Sequence, residues 1–274
     1  VKDEPWDQQW DDPTSFLAWL STVADEWRRV LVPNGSLYCF ASPRMAGRVE
    51  LMLSERFHVL NHIVWCKTSP PGFDGWKKKC SKASLRSWYD DTERLIFAEQ
   101  SSGFASLLKV ARAESGLSAK DLTERIGAYG KVNHGGAVSN WEAGLNTPTR
   151  EQYERLREVL RLPPWEEGIR PFQAPEGGFT DAWSFETVRP YRGKHPCEKP
   201  KSLLSRIIEA SSRPGDVVLD CFMGGGSTGE AALQLGRAFW GCDMSPHWAR
   251  YSQDRLEALQ APSLGDLLES LVSE

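Results

Sequence analysis

The sequence predicts an α/β fold into which an all-α segment is inserted. Three observations point there. Between residues 13 and 99 helical and strand patterns alternate; between 104 and 161 apolar residues recur almost only at helical spacing; and between 216 and 243 the chain returns to strand, glycine-rich turn, helix and strand.

In chain order, Phe16, Leu17, Leu20, Val23, Ala24, Trp27 and Leu31 repeat at helical spacing and predict a helix over 13–31, closed by the turn residues Pro33-Asn34-Gly35. A short buried strand follows over 36–41, a helix over 44–56 and a strand over 57–66. Residues 67–92 are irregular, and 93–99 read as another strand. Four helical stretches come next, at about 104–115, 118–126, 135–143 and 149–161, the second and fourth opened by Ser118 and by Thr149 after Pro148. A linker rich in proline and glycine spans Pro163 to Gly178. The last third reads as a helix over 198–212, a strand over 216–220, a glycine turn, a helix over 228–236, a strand over 237–243, a helix over 246–259 and a weakly amphipathic tail. The expected division is 1–100, an insert over 101–190, 191–261, and a tail over 262–274.

Composition narrows the class. Of 274 residues, 40% are apolar and 26% charged, ordinary for a soluble globular chain. No apolar run approaches the roughly 18 residues of a membrane-spanning helix, and no signal peptide opens the sequence. The chain starts at Val1 and is expected to be a fragment. None of its six cysteines forms a C-x-x-C pair, which argues against a zinc site and for free thiols in a cytoplasmic protein. With a net charge of −4, any contact with nucleic acid has to rest on local positive charge. Lys77, Lys78, Lys79, Lys82 and Arg86 supply it between Asp74 and Asp90 with no acid among them, and Trp76, Trp88 and Tyr89 are interleaved. The run reads as a phosphate and base contact or, more plainly, as a solvated basic loop.

The segment 216–243 carries the clearest chemistry. Gly224, Gly225 and Gly226 let the backbone approach a ligand at the C-terminal end of a parallel strand, where open α/β sheets bind ligands. Asp243, 19 residues beyond Gly224, ends the next strand and can accept both hydroxyls of a ribose. By itself such a turn serves packing as readily as binding. The wider pattern is more specific. Asp220-Cys-Phe-Met-Gly-Gly-Gly-Ser-Thr228 resembles the D-P-F-x-G-S-G-T-T signature of DNA amino-methyltransferases, His195-x-x-x-Lys199-Pro200 resembles their H-x-x-x-K-P element, and Pro214-Gly215-Asp216 fits between. Cys221 and Gly225 depart from the family's proline and serine.

This resemblance implies a methyltransferase sheet of Rossmann-like type and S-adenosylmethionine as cofactor. It implies Asp220, Phe222, Gly224 and Gly226 along the cofactor, Asp243 on the ribose hydroxyls, Met244 beside the adenine, and His195 and Lys199 near the methionyl end. Lys199 is otherwise a helix N-terminal residue beside Pro200. Methylating an exocyclic amine needs acceptors for the amine hydrogens and a fixed line to the donor methyl. The family supplies these with an Asp/Asn/Ser-Pro-Pro-Tyr/Phe tetrapeptide that stacks on a flipped base. Ser69-Pro70-Pro71-Gly72 lacks the aromatic and comes after Ile63-Val64-Trp65-Cys66-Lys67, which resembles a later family strand, so it reads as a rigid loop. The stretch Val1–Trp10 resembles the family segment directly after the tetrapeptide. The catalytic motif is therefore expected upstream of Val1, with two of seven sheet strands absent and no methyl transfer by this chain alone.

Within 104–161, Leu108, Ala111-Arg112, Gly116-Leu117-Ser118, Leu122, Ile126-Gly127, Val138-Ser139-x-Trp141-Glu142-x-Gly144 and Pro148-Thr149 resemble a phage-repressor helix-turn-helix. The resemblance implies that Asn133, His134, Ser139 and Asn140 face base edges, while Val138 and Trp141 pack the core. Nine basic against seven acidic residues over 104–161 is a modest excess, which a protein-binding helical module would also carry. The expected function is a restriction-modification or phage-associated methyltransferase acting on double-stranded DNA in a bacterial or phage-infected cytoplasm, with no metal and no membrane. Adenine N6 is the expected target, from the resemblance of residues 2–7 and 195–200 to phage-associated adenine enzymes. Cytosine N4 and an inactive DNA-binding remnant are the alternatives.

Overall fold

The computed structural model describes residues 9–10, 12–32, 35–69, 83, 85–100, 103–128, 136–169, 172–173 and 180–260. They divide into two compact units: the first holds the described residues of Trp10–Ile63 and Arg94–Phe172, the second those of Val1–Gln9, Val64–Glu93 and Gln173–Glu274.

The first unit opens with α1 (Pro13–Val30), capped by the Asp12 carboxylate, which accepts the backbone N–H groups of Thr14 and Ser15. β1 (Ser36–Ala41), α2 (Ala46–Ser54) and the first half of β2 (His58–Thr68) come next. β3 (Thr92–Glu99) pairs antiparallel with β1, from Ser36 opposite Glu99 to Ala41 opposite Arg94, and β2 lies on its other side. Leu95, Ile96, Phe97 and Ala98 are all buried, as a strand covered on both faces requires. Leu20 and Ala24 of α1 and Val49 and Leu53 of α2 close over Ile96 and Ala98.

The same unit contains α3 (Gly103–Ser115), α4 (Ala119–Arg125), α5 (Gly136–Glu142), α6 (Arg150–Leu160) and the short α7 (Trp165–Gly168). These share one core of Leu108, Leu122, Ile126, Val138, Trp141, Tyr153 and Leu156. Capping boxes start α4 at Ser118 with Asp121 and α6 at Thr149 with Gln152. The four helices expected in this stretch form within a residue or two of the expected ends.

In the second unit, the end of β2 pairs in parallel with β4 (Ala182–Glu186), Val64 opposite Ala182 and Thr68 opposite Glu186. The sequence reading assigned no strand there. Trp183 is buried, and the Arg206 guanidinium of α8 (Lys201–Ser211) lies over its ring and that of Phe185. β5 (Val217–Asp220) and β6 (Ala238–Gly241) pair in parallel, connected by α9 (Ser227–Gln234), and α10 (Pro246–Gln260) comes last. Parallel pairing puts both strand ends, and the turns after them, at one edge.

Candidate cofactor site

The site is built where β5 and β6 end. Asp220 closes β5 and accepts the Phe222 N–H at 3.0 Å, which starts the turn. Gly224 has φ +48° and Gly226 φ +77°, and Gly226 is the N-cap of α9. A Cβ at Gly224 would lie 2.9 Å from Cε1 of His195, and one at Gly226 would lie 3.1 Å from the Ser252 side chain, so both positions need glycine for space as well as for φ. One carboxylate oxygen of Asp243, just past β6, accepts the Gly224 N–H at 3.0 Å, and the other accepts the Ser245 N–H at 2.9 Å. The acid expected for ribose recognition is thus held against the turn by two backbone donors. Phe222 and Met244, 52% and 71% exposed, leave apolar surface on either side of it.

His195 stands over this turn. Its ring is edge-on to Trp248 of α10 at 4.6 Å, and its Nδ1 accepts the Cys197 N–H at 3.2 Å. α10 supports the turn from beneath: the buried Ser252 hydroxyl donates to the Gly224 carbonyl, and the Arg255 guanidinium donates to the Gly225 carbonyl at 2.7 Å. Arg255 also pairs with Glu198, whose side chain is 4% exposed, and with Glu230 of α9. Burial tends to raise the Glu230 carboxyl, but Lys201 and Arg255 hold it below the usual range. Lys199 points its ammonium at Glu93, 3.0 Å away, and Lys67 reaches the other oxygen of Glu93 at 2.6 Å. Burial tends to raise the Glu93 carboxyl, and these two lysines reverse the effect and lower it.

The structure therefore brings together Asp220, Phe222, Gly224, Gly226, Asp243, Met244 and His195, and places Lys199 in an ion pair with Glu93. Of the expected DNA contacts, Arg86 is exposed in the second unit, and Ser139 and Asn140 are half-buried on α5 in the first. Lys77, Lys78, Lys79, Lys82, Asn133 and His134 lie outside the described residues. Sequence reasoning missed Glu93, Glu198, Ser252 and Arg255. A signal existed for two of them: Trp248, Tyr251, Ser252 and Arg255 fall at i, i+3, i+4 and i+7, one face of α10. Among the described residues no cluster of His, Cys, Asp or Glu could hold a metal ion, and no helix is long and apolar enough to cross a membrane.

Parallel strands with a glycine turn and an acid at their C-terminal ends define a Rossmann-like α/β protein with a nucleoside-type site. The DNA methylase profile of N6/N4 methyltransferases matches residues 2–254, and the chain belongs to that family, whose methyl donor is S-adenosylmethionine. It is 37% identical over 269 residues to the type II methyltransferase M1.MboII of Moraxella bovis, covering 93% of this chain and 84% of that protein. It is 27% identical over 232 residues to M2.DpnII of Streptococcus pneumoniae, covering 84% of this chain and 63% of that protein, so it spans less than two thirds of that relative. Its fold is similar to that of M1.HpyAVI in complex with S-adenosylmethionine (TM-score 0.52, 20% identity, 90% of this chain and 84% of the other). It is also similar to the cytosine-N4-specific PvuII methyltransferase (TM-score 0.55, 13% identity, 89% and 71%).

Proposed function

We propose that this chain carries the donor-binding site and the DNA reader of a site-specific methyltransferase. That enzyme transfers the methyl group of S-adenosylmethionine to an exocyclic amine, adenine N6, of a base flipped out of duplex DNA. The observation that carries the reading is the Asp243 carboxylate fixed beside the Gly224–Gly226 turn.

The residues present fit the cofactor. Asp243 offers carboxylate oxygens for ribose hydroxyls, Met244 offers apolar surface for a purine, Phe222 offers it along the methionine and ribose side, and the glycines leave the turn without side chains. When bound, the cofactor supplies an electrophilic sulfonium methyl. The chain's own part is to hold and orient it: Asp243 at the ribose, Asp220, Phe222, Gly224 and Gly226 along the turn, Met244 at the purine, and His195 at the methionyl end. Lys199 acts there as well, with its charge balanced by Glu93.

The reader proposed is the helical part of the first unit, a helix-turn-helix in which α5 presents Ser139 and Asn140 to base edges. Asn133 and His134 precede it, and the Lys77–Lys82 run with Arg86 contacts phosphate. Residues 1–274 contain no Asp/Asn/Ser-Pro-Pro-Tyr/Phe tetrapeptide. Methyl transfer is therefore proposed to need a segment that carries one.

Calorimetric titration of residues 1–274 with S-adenosylmethionine tests the donor site. Binding is expected, and Asp243→Ala should weaken it at least about tenfold, the scale of losing charge-assisted hydrogen bonds to the ribose. Absence of binding by the wild-type chain would sink the reading. Co-expression with an upstream segment ending in the tetrapeptide, followed by mass analysis of DNA nucleosides, tests the target: N6-methyladenine is expected, and N4-methylcytosine instead would replace adenine with cytosine.

A further inference from the structure

We propose that Arg255 is a positioning residue for the methyl donor, which it serves without touching it. Its guanidinium joins three pieces of the site: the Gly225 carbonyl in the turn, Glu198 in the His195–Pro200 loop, and Glu230 on the helix that the turn opens. The inference rests on the donor-binding reading above.

Two features make this more than a stabilising ion pair. One is the geometry of the bond to Gly225. The turn has two neighbouring carbonyls tied to α10, Gly224 by Ser252 and Gly225 by Arg255. A peptide unit anchored at its oxygen cannot rotate freely: the Gly225 carbonyl shares its unit with the Gly226 N–H, which donates to the Met223 carbonyl at 2.8 Å, and that carbonyl shares its unit with the Gly224 N–H that meets Asp243. The other is the reach of the same guanidinium to Glu198, three residues beyond His195. The Glu198 carboxylate also accepts the Tyr191 hydroxyl at 2.6 Å, and the Glu198 backbone N–H donates to the His195 carbonyl. The loop that sets the His195 ring above Gly224 and Gly225 is therefore fixed to the same group that fixes the turn. A planar guanidinium can serve a carbonyl and two carboxylates together; an ammonium is a single point of charge with a shorter reach. Arg255 holds the His195 loop and the glycine turn in one fixed relation, on which the seat of the donor depends.

The experiment measures donor affinity and thermal midpoint in parallel on the full 274-residue chain. Wild type, Arg255→Lys, Arg255→Met and the double variant Arg255→Met/Glu198→Met are titrated with S-adenosylmethionine and with S-adenosylhomocysteine, which shares every part of the donor except its methyl. Arg255→Met should raise Kd for both compounds about tenfold or more, and Arg255→Lys should fall between it and wild type. In Arg255→Met, Glu230 keeps Lys201 while the buried Glu198 carboxylate is left without a cation, so removing Glu198 as well should recover thermal stability. It should not recover affinity, because the Gly225 carbonyl still has no donor. Recovery of both together would reduce Arg255 to a structural ion pair and overturn the proposal. So would Arg255 variants that bind the donor as tightly as wild type. A wild-type chain that binds neither compound would instead overturn the donor-binding reading and this inference with it. If Arg255→Met does not fold, Arg255→Lys carries the test through the imidazole proton signals of His195. A changed His195 environment in the free, folded protein is expected, and an unchanged one with unchanged Kd overturns the proposal.

Discussion

Gly224 and His195 meet so closely that neither can be understood alone. Gly224→Ala places a methyl group against the imidazole in a left-handed backbone, and a loss of about 1–3 kcal/mol is expected in chemical denaturation. In Gly224→Ala/His195→Ala the steric part disappears while the backbone part remains, so the double variant should lose less than the sum of the single changes. Glu93 sets a second prediction at this scale. Its carboxyl is pulled below the ordinary glutamate value by Lys199 and Lys67 despite burial. A folded-state value below the unfolded one means stability that is present above the unfolded value and lost as pH falls through the folded one. Wild type should therefore lose thermal stability below the ordinary carboxylate range more steeply than Glu93→Gln, which has no such proton to take up. Parallel melting curves at neutral and acid pH would show it, and equal slopes would remove Glu93 from the account.

Among the elements, the helical core of the first unit depends on one ion pair. Arg112 on α3 meets Glu142 at the end of α5 through two hydrogen bonds, at 2.5 and 3.2 Å, and also donates to the Leu117 carbonyl. Glu142 is 9% exposed, while the Arg112 side chain keeps 25% of its surface in water. Arg112→Ala leaves a carboxylate buried without its partner. About 2–3 kcal/mol is expected, at or below the low end for buried pairs because solvent screens the arginine side. Loss of α3–α6 helicity before the rest of the chain would locate the effect. Thr149→Ala, which removes the cap of α6, should cost about 1 kcal/mol in the same region. These helices were legible in the sequence because caps and apolar spacing are local. Arg112 and Glu142 appeared there only as members of a pattern; their pairing spans 30 residues and needed the packed helices to be seen.

On the scale of the molecule, net charge is −4, so DNA affinity has to come from a restricted patch. If Lys77, Lys78 and Lys79 neutralise phosphates, the logarithm of duplex affinity should fall with the logarithm of salt by about 0.9 per contact. Lys77→Ala/Lys78→Ala/Lys79→Ala should flatten that dependence by up to about 2.7 while leaving donor binding intact. An unchanged slope would return the run to the status of a solvated loop.

The sequence by itself determined whatever depends on near neighbours along the chain. It contained the order of helices and strands over 13–99 and 104–161, the glycine turn with its acid 19 residues on, and the motifs that mark the family. β4 escaped it because Ala182–Glu186 lies close after a proline- and glycine-rich stretch and is only five residues long, too short a run for periodicity to separate from its surroundings. Tertiary structure alone decided that strand's pairing with β2, the ion pair of Lys199 with Glu93, and the hold of Arg255 on Gly225 and Glu198. Each joins residues separated by 30 to more than 100 positions. Hydrophobic period and capping chemistry carry no information at that range; only packing of the finished core brings such charges within reach of one another.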